Sequence, residues 1–275
     1  MKLSKSLLLT ILGFFTLSSA APHKEVKWTK LFDVKSINAT YVPQAIEVYK
    51  NYILFSVHAK DKKSALIVFK KGTKDLEYLF EVDMPKEATH TSDFNIVGDI
   101  LYAIDYASNK IYQIDIPALI NEKKLVIDKG FYLDMGRTGS LVILDVKGIP
   151  YVFITQFIYS NRLKGFKLSE LKNRELDTDK IEFEITNHRF VQGLYAKDNK
   201  LLISTNNWGI DTITVVDIKK MLQYGNVEDA TITTINAPYK MVEDIAIYGD
   251  KIITSDEESN FIYESEDITL NGKNL

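Results

Sequence analysis

The chain has 275 residues, a formal net charge of −3 at pH 7 and no cysteine. The lack of cysteine excludes disulfides, thiolate metal sites, a cysteine nucleophile and lipid attachment at a cysteine. Lysine and arginine form no basic stripe of the kind that neutralises phosphates, so we expect no nucleic-acid partner.

The first 20 residues have the features of a secretory signal peptide. Lys2 and Lys5 precede an apolar segment from Leu7 to Leu17, and a small-residue cleavage site follows at Ser18-Ser19-Ala20. The apolar segment is shorter than a membrane-spanning helix requires, and no later segment replaces it; an uncleaved anchor is the alternative. We therefore predict a secreted or periplasmic monomer with no membrane span, in which residues 21–275 form a single domain.

A pattern of two adjacent β-strands closed by a short polar loop recurs five times, at a spacing of about 50 residues. The predicted first strands are Gln44–Val48, Ser92–Ile96, Gly139–Ile143, Gln192–Ala196 and Glu243–Ile247. The predicted second strands are Ile53–Ser56, Leu101–Ile104, Val152–Thr155, Leu201–Ser204 and Ile252–Ser255. Each first strand begins with polar or small residues and then becomes apolar.

Every copy continues with a third apolar segment, and the first four copies add a more polar fourth one. The third segments are Ala65–Phe69, Ile111–Ile114, Leu163–Phe166, Ile213–Val216 and Phe261–Tyr263. The fourth segments are Leu76–Val82, Leu125–Leu133, Lys180–Ile185 and Ala230–Ile235. A strand-like segment, Val26–Val34, precedes the first copy and can supply the strand that the last copy lacks. The sequence therefore predicts an all-β protein, a five-bladed β-propeller with four antiparallel strands per blade, closed by its N-terminal strand.

Three of the third strands run into short helical turns. Asp115, Ser169 and Asp217 stand where an N-terminal cap is expected, and their side chains can accept a hydrogen bond from the first helical turn.

The second copy carries a family resemblance. Within Ser92–Asp115 it combines Ser92-Asp93, Gly98-Asp99, Leu101-Tyr102 and Asn109-Lys110-Ile111. The order and spacing of these residues resemble those in a blade of the NHL, YncE-like and SMP-30/gluconolactonase-like propellers. The likeness covers about 25 residues and is weaker in the other copies, so it implies a fold rather than an activity.

Polar residues mark one face of the predicted disc. Antiparallel neighbours reverse direction, so first-strand starts and second-strand ends surround the same mouth of the central channel. The second strands end at His58, Asp105, Gln156, Asn206 and Asp256, and the first strands start at Gln44, Ser92 with Asp93, Ser140, Gln192, and Glu243 with Asp244. We interpret these two rings as a binding site for a small molecule, a glycan or a protein partner. The alternative is that strand ends are polar because they border loops, around a hub filled with water or a structural ion.

Loop residues extend this predicted site. His90 precedes the second blade, Arg137 precedes the third, and Tyr106 and Trp208 follow second strands. The predicted ligand-binding residues are His58, His90, Asp105, Tyr106, Arg137, Gln156, Gln192, Asn206, Trp208 and Asp256. Packing against a neighbouring blade is the alternative for Trp208, and a structural role is the alternative for His58 and His90.

Oxygen-bearing residues near the mouth raise the possibility of a bound Ca²⁺ ion. The candidate ligands are Asp105, Asn206, Glu243, Asp244 and Asp256. The resemblance to SMP-30-like lactonases implies an alternative function, a divalent-metal-dependent hydrolase in which Glu243, Asn206 and either Asp105 or Asp256 hold the ion. Gly-x-Ser-x-Gly and His-Glu-x-x-His motifs are absent, which favours binding over catalysis; a purely structural envelope component is the third hypothesis.

Overall fold

The computed structural model describes residues 21–59, 63–73, 75–133, 135–156, 160–171, 175–176, 178–206, 211–270 and 273–274. The predicted signal peptide and Trp208 lie outside the described residues. The described chain begins with strands β1 (His23–Lys24) and β2 (Trp28–Asp33), followed by a 3-10 turn at Val34–Ser36.

Twenty further strands build or border the five blades, and a short hairpin follows them. Blade 1 contains β3 (Tyr41–Tyr49), β4 (Tyr52–Ala59), β5 (Ser64–Lys71) and β6 (Leu76–Asp83). Blade 2 contains β7 (Thr91–Val97), β8 (Ile100–Asp105), β9 (Lys110–Asp115), helix α1 (Ile116–Glu122) and β10 (Ile127–Leu133). Blade 3 contains β11 (Thr138–Val146), β12 (Ile149–Gln156), β13 (Arg162–Lys167) and β15 (Phe183–Thr186). Between β13 and β15 in the chain lies β14 (Glu175–Leu176), which pairs in parallel with β10 and so extends the sheet of blade 2. Blade 4 contains β16 (Val191–Lys197), β17 (Lys200–Thr205), β18 (Thr212–Asp217), helix α2 (Ile218–Tyr224) and β19 (Thr231–Asn236). Blade 5 contains β20 (Val242–Tyr248), β21 (Lys251–Asp256) and β22 (Phe261–Ser265), and the hairpin is β23 (Thr269–Leu270) with β24 (Lys273–Asn274). Further 3-10 turns lie at Leu168–Glu170, Thr178–Lys180 and Glu228–Ala230.

The N-terminal strand completes the last blade, as the sequence predicts. Strand β2 pairs antiparallel with β22, with Trp28 opposite Ser265 and Asp33 opposite Phe261. The sheet order of blade 5 is therefore β2-β22-β21-β20, and both ends of the chain contribute to one blade. This pairing covers the outer edge of β22, which would otherwise expose unpaired backbone groups. Strand β1 extends the neighbouring blade by pairing in parallel with β19.

The hydrophobic core consists of five clusters, each shared by two neighbouring blades. Between blades 3 and 4, for example, Phe153 packs in the same cluster as Leu194. Between blades 5 and 1, Ile253 shares a cluster with Phe55. Because apolar side chains are removed from water only where two blades meet, the burial of each blade depends on both its neighbours, and the last cluster closes the ring.

Every innermost strand begins with an irregularity. The register of β3, β7, β11, β16 and β20 against its partner shifts within the first few residues of the strand. A β-bulge of this kind breaks the regular alternation of side chains between the two faces. Consecutive polar residues at these starts can therefore both point away from solvent.

Two of the three predicted helix caps are confirmed. Asp115 accepts a hydrogen bond from the Ala118 N–H (2.7 Å), and Asp217 accepts one from the Lys220 N–H (3.0 Å). The prediction for Ser169 was wrong, because β13 continues to Lys167 and the turn starts at Leu168, so Ser169 lies inside the turn. In the part of the chain that the structure describes, no helix is long and apolar enough to cross a membrane.

Candidate functional site

The starts of the five innermost strands surround one cavity of about 220 Å³, which we call the mouth cavity. Its wall consists of Gln44, His90, Ser92, Tyr106, Gly139, Gln192, Asn206, Met241, Glu243 and Glu257. Each blade contributes at least one of these residues. The structure thus brings the first-strand starts of all five blades to a single place on the propeller axis.

A belt of five serine hydroxyls joins each blade to the next beside this cavity. In two links the serine comes from a first strand: Ser92 Oγ donates to the Gly139 carbonyl (2.7 Å), and Ser140 Oγ donates to the Gln192 carbonyl (2.9 Å). In the other three it comes from a second strand: Ser56 Oγ donates to Thr91 O (2.7 Å), Ser204 Oγ to Glu243 O (2.6 Å) and Ser255 Oγ to Gln44 O (2.9 Å). Four of the accepting carbonyls belong to residues of the cavity wall, so this belt fixes the wall. The second-strand serines were not among the predicted site residues, although three predicted second strands end in serine.

Two buried aspartates, Asp93 and Asp244, also connect the innermost strands, because they accept hydrogen bonds from backbone N–H groups of these strands. Asp244 Oδ2 accepts hydrogen bonds from the N–H groups of Ile46 (3.0 Å) and Phe94 (3.3 Å). Asp93 Oδ2 accepts hydrogen bonds from the N–H groups of Leu141 (2.9 Å) and Leu194 (3.3 Å). We call these two residues the hub pair, because together they hold the innermost strands of blades 1 to 4.

The two carboxyl groups of the hub pair also lie close enough to interact with each other, and Asp93 Oδ1 has no hydrogen-bond partner among the described residues. Burial, and next the charge of Asp244, raises the pKa of Asp93 well above its ordinary value. Burial raises the pKa of Asp244 to about 8. We infer that Asp93 retains a proton, because two fully buried carboxylates close to each other repel each other.

Asp105 and Asp256 hold loops behind the cavity rather than lining it. Asp105 accepts hydrogen bonds from the N–H groups of His90 (2.7 Å) and Ser108 (2.6 Å). Asp256 makes the equivalent contacts in blade 5, with the N–H groups of Met241 (2.8 Å) and Ser259 (2.6 Å). Both aspartates are fully buried and neither lines the cavity, so their carboxylates act by positioning the wall residues.

Two glutamates that line the cavity, Glu243 and Glu257, form a second carboxyl pair, which we call the mouth pair. Their carboxyl groups lie close enough to interact with each other, and Gln192 Nε2 donates to Glu243 Oε1 (3.4 Å). Burial raises the pKa of Glu243 well above its ordinary value, and the charge of Glu257 adds to this effect. Burial also raises the pKa of Glu257. The mouth pair therefore holds a proton under conditions in which an exposed glutamate has lost it.

Gln44 provides an acceptor that none of the described residues uses. The residue is 1 % exposed and lines the mouth cavity. Its Nε2 donates to the Pro43 carbonyl (2.5 Å), whereas its Oε1 has no hydrogen-bond partner among the described residues. An unpaired buried carbonyl oxygen is unfavourable, so a donor brought by a ligand would stabilise it.

Ring systems form a row along one side of the cavity. His58 stacks on His90 at a centroid distance of 4.8 Å, and His90 lies 5.4 Å from the Tyr106 ring. The Arg137 guanidinium lies 5.3 Å from the same Tyr106 ring, and its Nη1 donates to the Tyr106 hydroxyl (3.2 Å). Burial, and next the charge of His90, lowers the pKa of His58 to about 4, and burial lowers the pKa of His90. Both imidazoles are therefore neutral at pH 7.

The predicted ligand-binding residues thus divide into three groups. His90, Tyr106, Gln192 and Asn206 line the mouth cavity. A second group lies behind the wall or beside the rim: His58, Asp105, Arg137, Gln156 and Asp256, with Gln156 Nε2 donating to the Met135 carbonyl. Trp208 is outside the described residues. Sequence reasoning did not identify Glu257, which directly follows the strand-end residue Asp256, or Met241, which precedes the first strand of blade 5.

The five residues proposed to bind Ca²⁺ do not form one ligand set. Asp105, Asp244 and Asp256 each accept hydrogen bonds from backbone N–H groups, and only Asn206 and Glu243 line the cavity. Among the described residues, no three histidine, cysteine, aspartate or glutamate side chains are grouped so that they could hold a metal ion. Ca²⁺ takes about 6–8 oxygen ligands, so the residues present do not fit the predicted ion.

No family model and no curated protein matches the sequence, so the resemblance to the NHL, YncE-like and SMP-30 propellers stays a prediction. Solved structures do match the fold. A GH43_1 enzyme from Xanthomonas citri is similar with a TM-score of 0.53 and 10 % sequence identity, over 89 % of this chain and 91 % of that one. A functionally unknown protein from Desulfotomaculum acetoxidans DSM 771 is similar with a TM-score of 0.46 and 10 % identity, over 85 % of this chain and 70 % of that one. At this identity the likeness to the GH43_1 enzyme shows a shared propeller fold and nothing about activity.

Proposed function

We propose that this protein is an exported binding protein that holds a small polar molecule, the size of a single sugar or a small metabolite, in the mouth cavity. Export follows from the signal-peptide pattern of the first 20 residues. The observation that carries the binding proposal is the unpartnered Gln44 Oε1 in a cavity to which all five blades contribute.

The dimensions of the cavity limit the ligand. Pockets for drug-sized molecules have volumes of roughly 300–1,000 Å³, and the mouth cavity has about 220 Å³. A ligand of one ring, or a single side group of a larger partner, fills this volume. The wall combines amide and carboxyl groups with Tyr106 and Met241, so it offers both hydrogen bonds and apolar contact.

Two other clefts of the described structure lack these features. One, of about 340 Å³, is lined by Lys63, Ser64, Asp83, Met84, Pro85, Lys86 and Ala88 beside the outer part of blade 1. Another, of about 500 Å³, lies between blades 1 and 5 and contains Lys71 with Glu264, which pair with each other (3.1 Å). No unpartnered buried side-chain atom belongs to either cleft. The mouth cavity is thus the better candidate for a ligand site.

Binding is favoured over metal-dependent hydrolysis by the hydrogen bonds of the aspartates. The carboxylates that the hydrolase hypothesis needs as metal ligands, Asp105 or Asp256, already accept backbone hydrogen bonds that fix the cavity wall. Binding therefore remains the function that we propose.

A thermal-shift panel of monosaccharides, amino sugars, polyols, amines and amino acids tests this proposal. A ligand at 100 times its Kd adds about 2.7 kcal/mol to the free energy of unfolding, and about 1 kcal/mol raises the Tm of a domain of this size by roughly 2–4 °C. We expect a Tm increase of about 5–10 °C from at least one compound. The increase should be lost in Gln44→Leu and retained in Gln223→Leu, a matched change on the exposed part of α2. A panel that leaves the Tm of the wild type unchanged, or a shift that persists in Gln44→Leu, would contradict the proposal.

A further inference from the structure

Two sets of hydrogen-bond acceptors line the mouth cavity. Gln44 Oε1 has no partner among the described residues, and the mouth pair offers carboxyl oxygens on the same wall. None of the ten described residues that line the cavity is a lysine or an arginine. An ammonium group has three donors and no acceptor, so it complements such a wall better than a hydroxyl or a carboxylate does.

The mouth pair can gain a charge when a cation arrives. Two carboxyl groups that share a proton carry less negative charge than two separate carboxylates, and a nearby positive charge favours loss of the shared proton. The acidic groups Asp256 and Asp244 lie close enough to the pair to raise the pKa of Glu243 further. On the cavity wall His90 is kept neutral by burial, and Arg137 lies beyond Tyr106 at the rim, where it does not line the cavity. The local charge therefore favours a cation at the mouth pair.

The cavity is too large for an ion alone. One water occupies about 30 Å³ in the liquid, so the cavity has room for roughly seven. A positive group attached to an organic body fits this volume better, because Tyr106 and Met241 give it apolar surface and Tyr106 presents an aromatic ring. We propose that the mouth cavity binds its ligand through a protonated primary amine, placed between Gln44 and the Glu243–Glu257 pair. This inference rests on the proposed function and adds the chemical class of the ligand.

The test compares two probes of nearly equal shape, cyclohexylamine and cyclohexanol, by isothermal titration calorimetry on the mature protein. At pH 8 we expect cyclohexylamine to bind at least about tenfold more tightly, because a charge-assisted hydrogen bond is stronger than a neutral one. Binding of the amine should release protons, seen as a dependence of the heat on the ionisation enthalpy of the buffer. The preference for the amine should shrink as the pH falls from 8 to 5, because loss of a proton from the pair then costs more free energy.

Two variants separate the role of the pair from a general charge effect. Glu243→Gln keeps the shape of the side chain and should remove the preference for the amine together with the proton release. Glu258→Gln removes the same charge from an exposed neighbour of Glu257 and should change neither.

Each outcome decides between the two proposals. Equal affinity for the two probes, or an amine preference that survives in Glu243→Gln, would overturn the amine inference and leave the proposed function intact. Binding of neither probe would overturn the inference as well, and the compound panel above then decides whether the cavity binds a ligand at all. Binding of CaCl₂ that depends on Glu243, with no binding of the amine, would replace the inference by a metal site.

Discussion

The Asp93→Ala variant tests most clearly whether buried carboxyl groups, and not apolar packing alone, hold the innermost strands together. The wild-type carboxylate accepts hydrogen bonds from the N–H groups of Leu141 and Leu194, which belong to blades 3 and 4. Removal of the acceptor leaves two buried amides without a partner, and each such group costs about 1–3 kcal/mol. We therefore expect the free energy of unfolding to fall by about 2–6 kcal/mol, as measured by urea denaturation.

We expect a different result for Asp93→Asn. The asparagine oxygen can accept the hydrogen bonds from both backbone N–H groups, while its NH₂ group donates to Asp244. At pH 5 this variant should unfold within about 1 kcal/mol of the wild type, since the hydrogen bonds are retained. Asp229→Asn, at an exposed position, is the matched control and should have no effect.

The pH dependence of stability provides a second readout of the hub pair. Burial raises the folded-state pKa of Asp93 and Asp244 above that of the unfolded chain, so the folded protein binds more protons. Their contribution to stability is complete below about pH 4, the ordinary pKa of aspartate, and is lost as the pH rises toward the folded-state value, about 8 for Asp244. Asp93→Asn should therefore reduce the loss of stability between pH 5 and pH 8. An Asp93→Ala variant within 1 kcal/mol of the wild type, or identical pH slopes for the wild type and Asp93→Asn, would refute this account of the hub.

Three further changes test how the ring is closed and packed. A Cβ on Gly193 would clash with the carboxylate and the Cα atom of Asp244, so Gly193→Ala should lower the free energy of unfolding by about 1–3 kcal/mol or more. Gly130→Ala is the control and should cause no such loss, because a Cβ there has no neighbour closer than 3.5 Å. Equal urea midpoints for the two variants would contradict the close approach at Gly193. Glu264→Ala leaves the buried Lys71 ammonium without its partner in blade 5, and we expect a loss of about 3–5 kcal/mol in the same assay; an unchanged midpoint would show that this ion pair does not help to join blades 1 and 5. Deletion of residues 26–34 removes β2 and exposes the edge of β22, so calorimetry should show a strongly lowered Tm or aggregation. A variant that melts like the chain without the deletion would disprove closure by the N-terminal strand.

The fold could be predicted from the sequence because the evidence for it is local and repeated. Apolar runs such as Ile53–Ser56 and Leu101–Ile104 recur with similar flanking residues, and each run corresponds to one strand of a blade. The missing fourth strand in the last copy and the extra segment at Val26–Val34 then identified the strand that closes the ring.

The candidate site could be predicted in position but only partly in composition. The strand-end residues Asp105 and Asn206 look equivalent in the repeat, yet Asn206 lines the cavity while Asp105 accepts hydrogen bonds from the His90 and Ser108 amides. The direction of each side chain depends on local backbone irregularities, such as the bulge between Thr91 and Asp93, which period-two alternation does not reveal.

The contact between Glu243 and Glu257 could not be predicted from the sequence either, because it joins a strand start to the loop after the neighbouring strand. Pairing of like charges is not a pattern that sequence reasoning favours, since two carboxylates repel each other unless one is protonated. Burial supplies that condition, and burial of a particular carboxyl group becomes visible only when the blades are assembled.

A crystal structure of residues 21–275, soaked with the compound that raises the Tm most, would test the central claim most directly. We predict ligand density in the mouth cavity, with a donor atom of the compound within hydrogen-bond distance of Gln44 Oε1 and of a carboxyl oxygen of Glu243 or Glu257. Density for the compound at any other place on the propeller, with only water between Gln44 and the mouth pair, would contradict it.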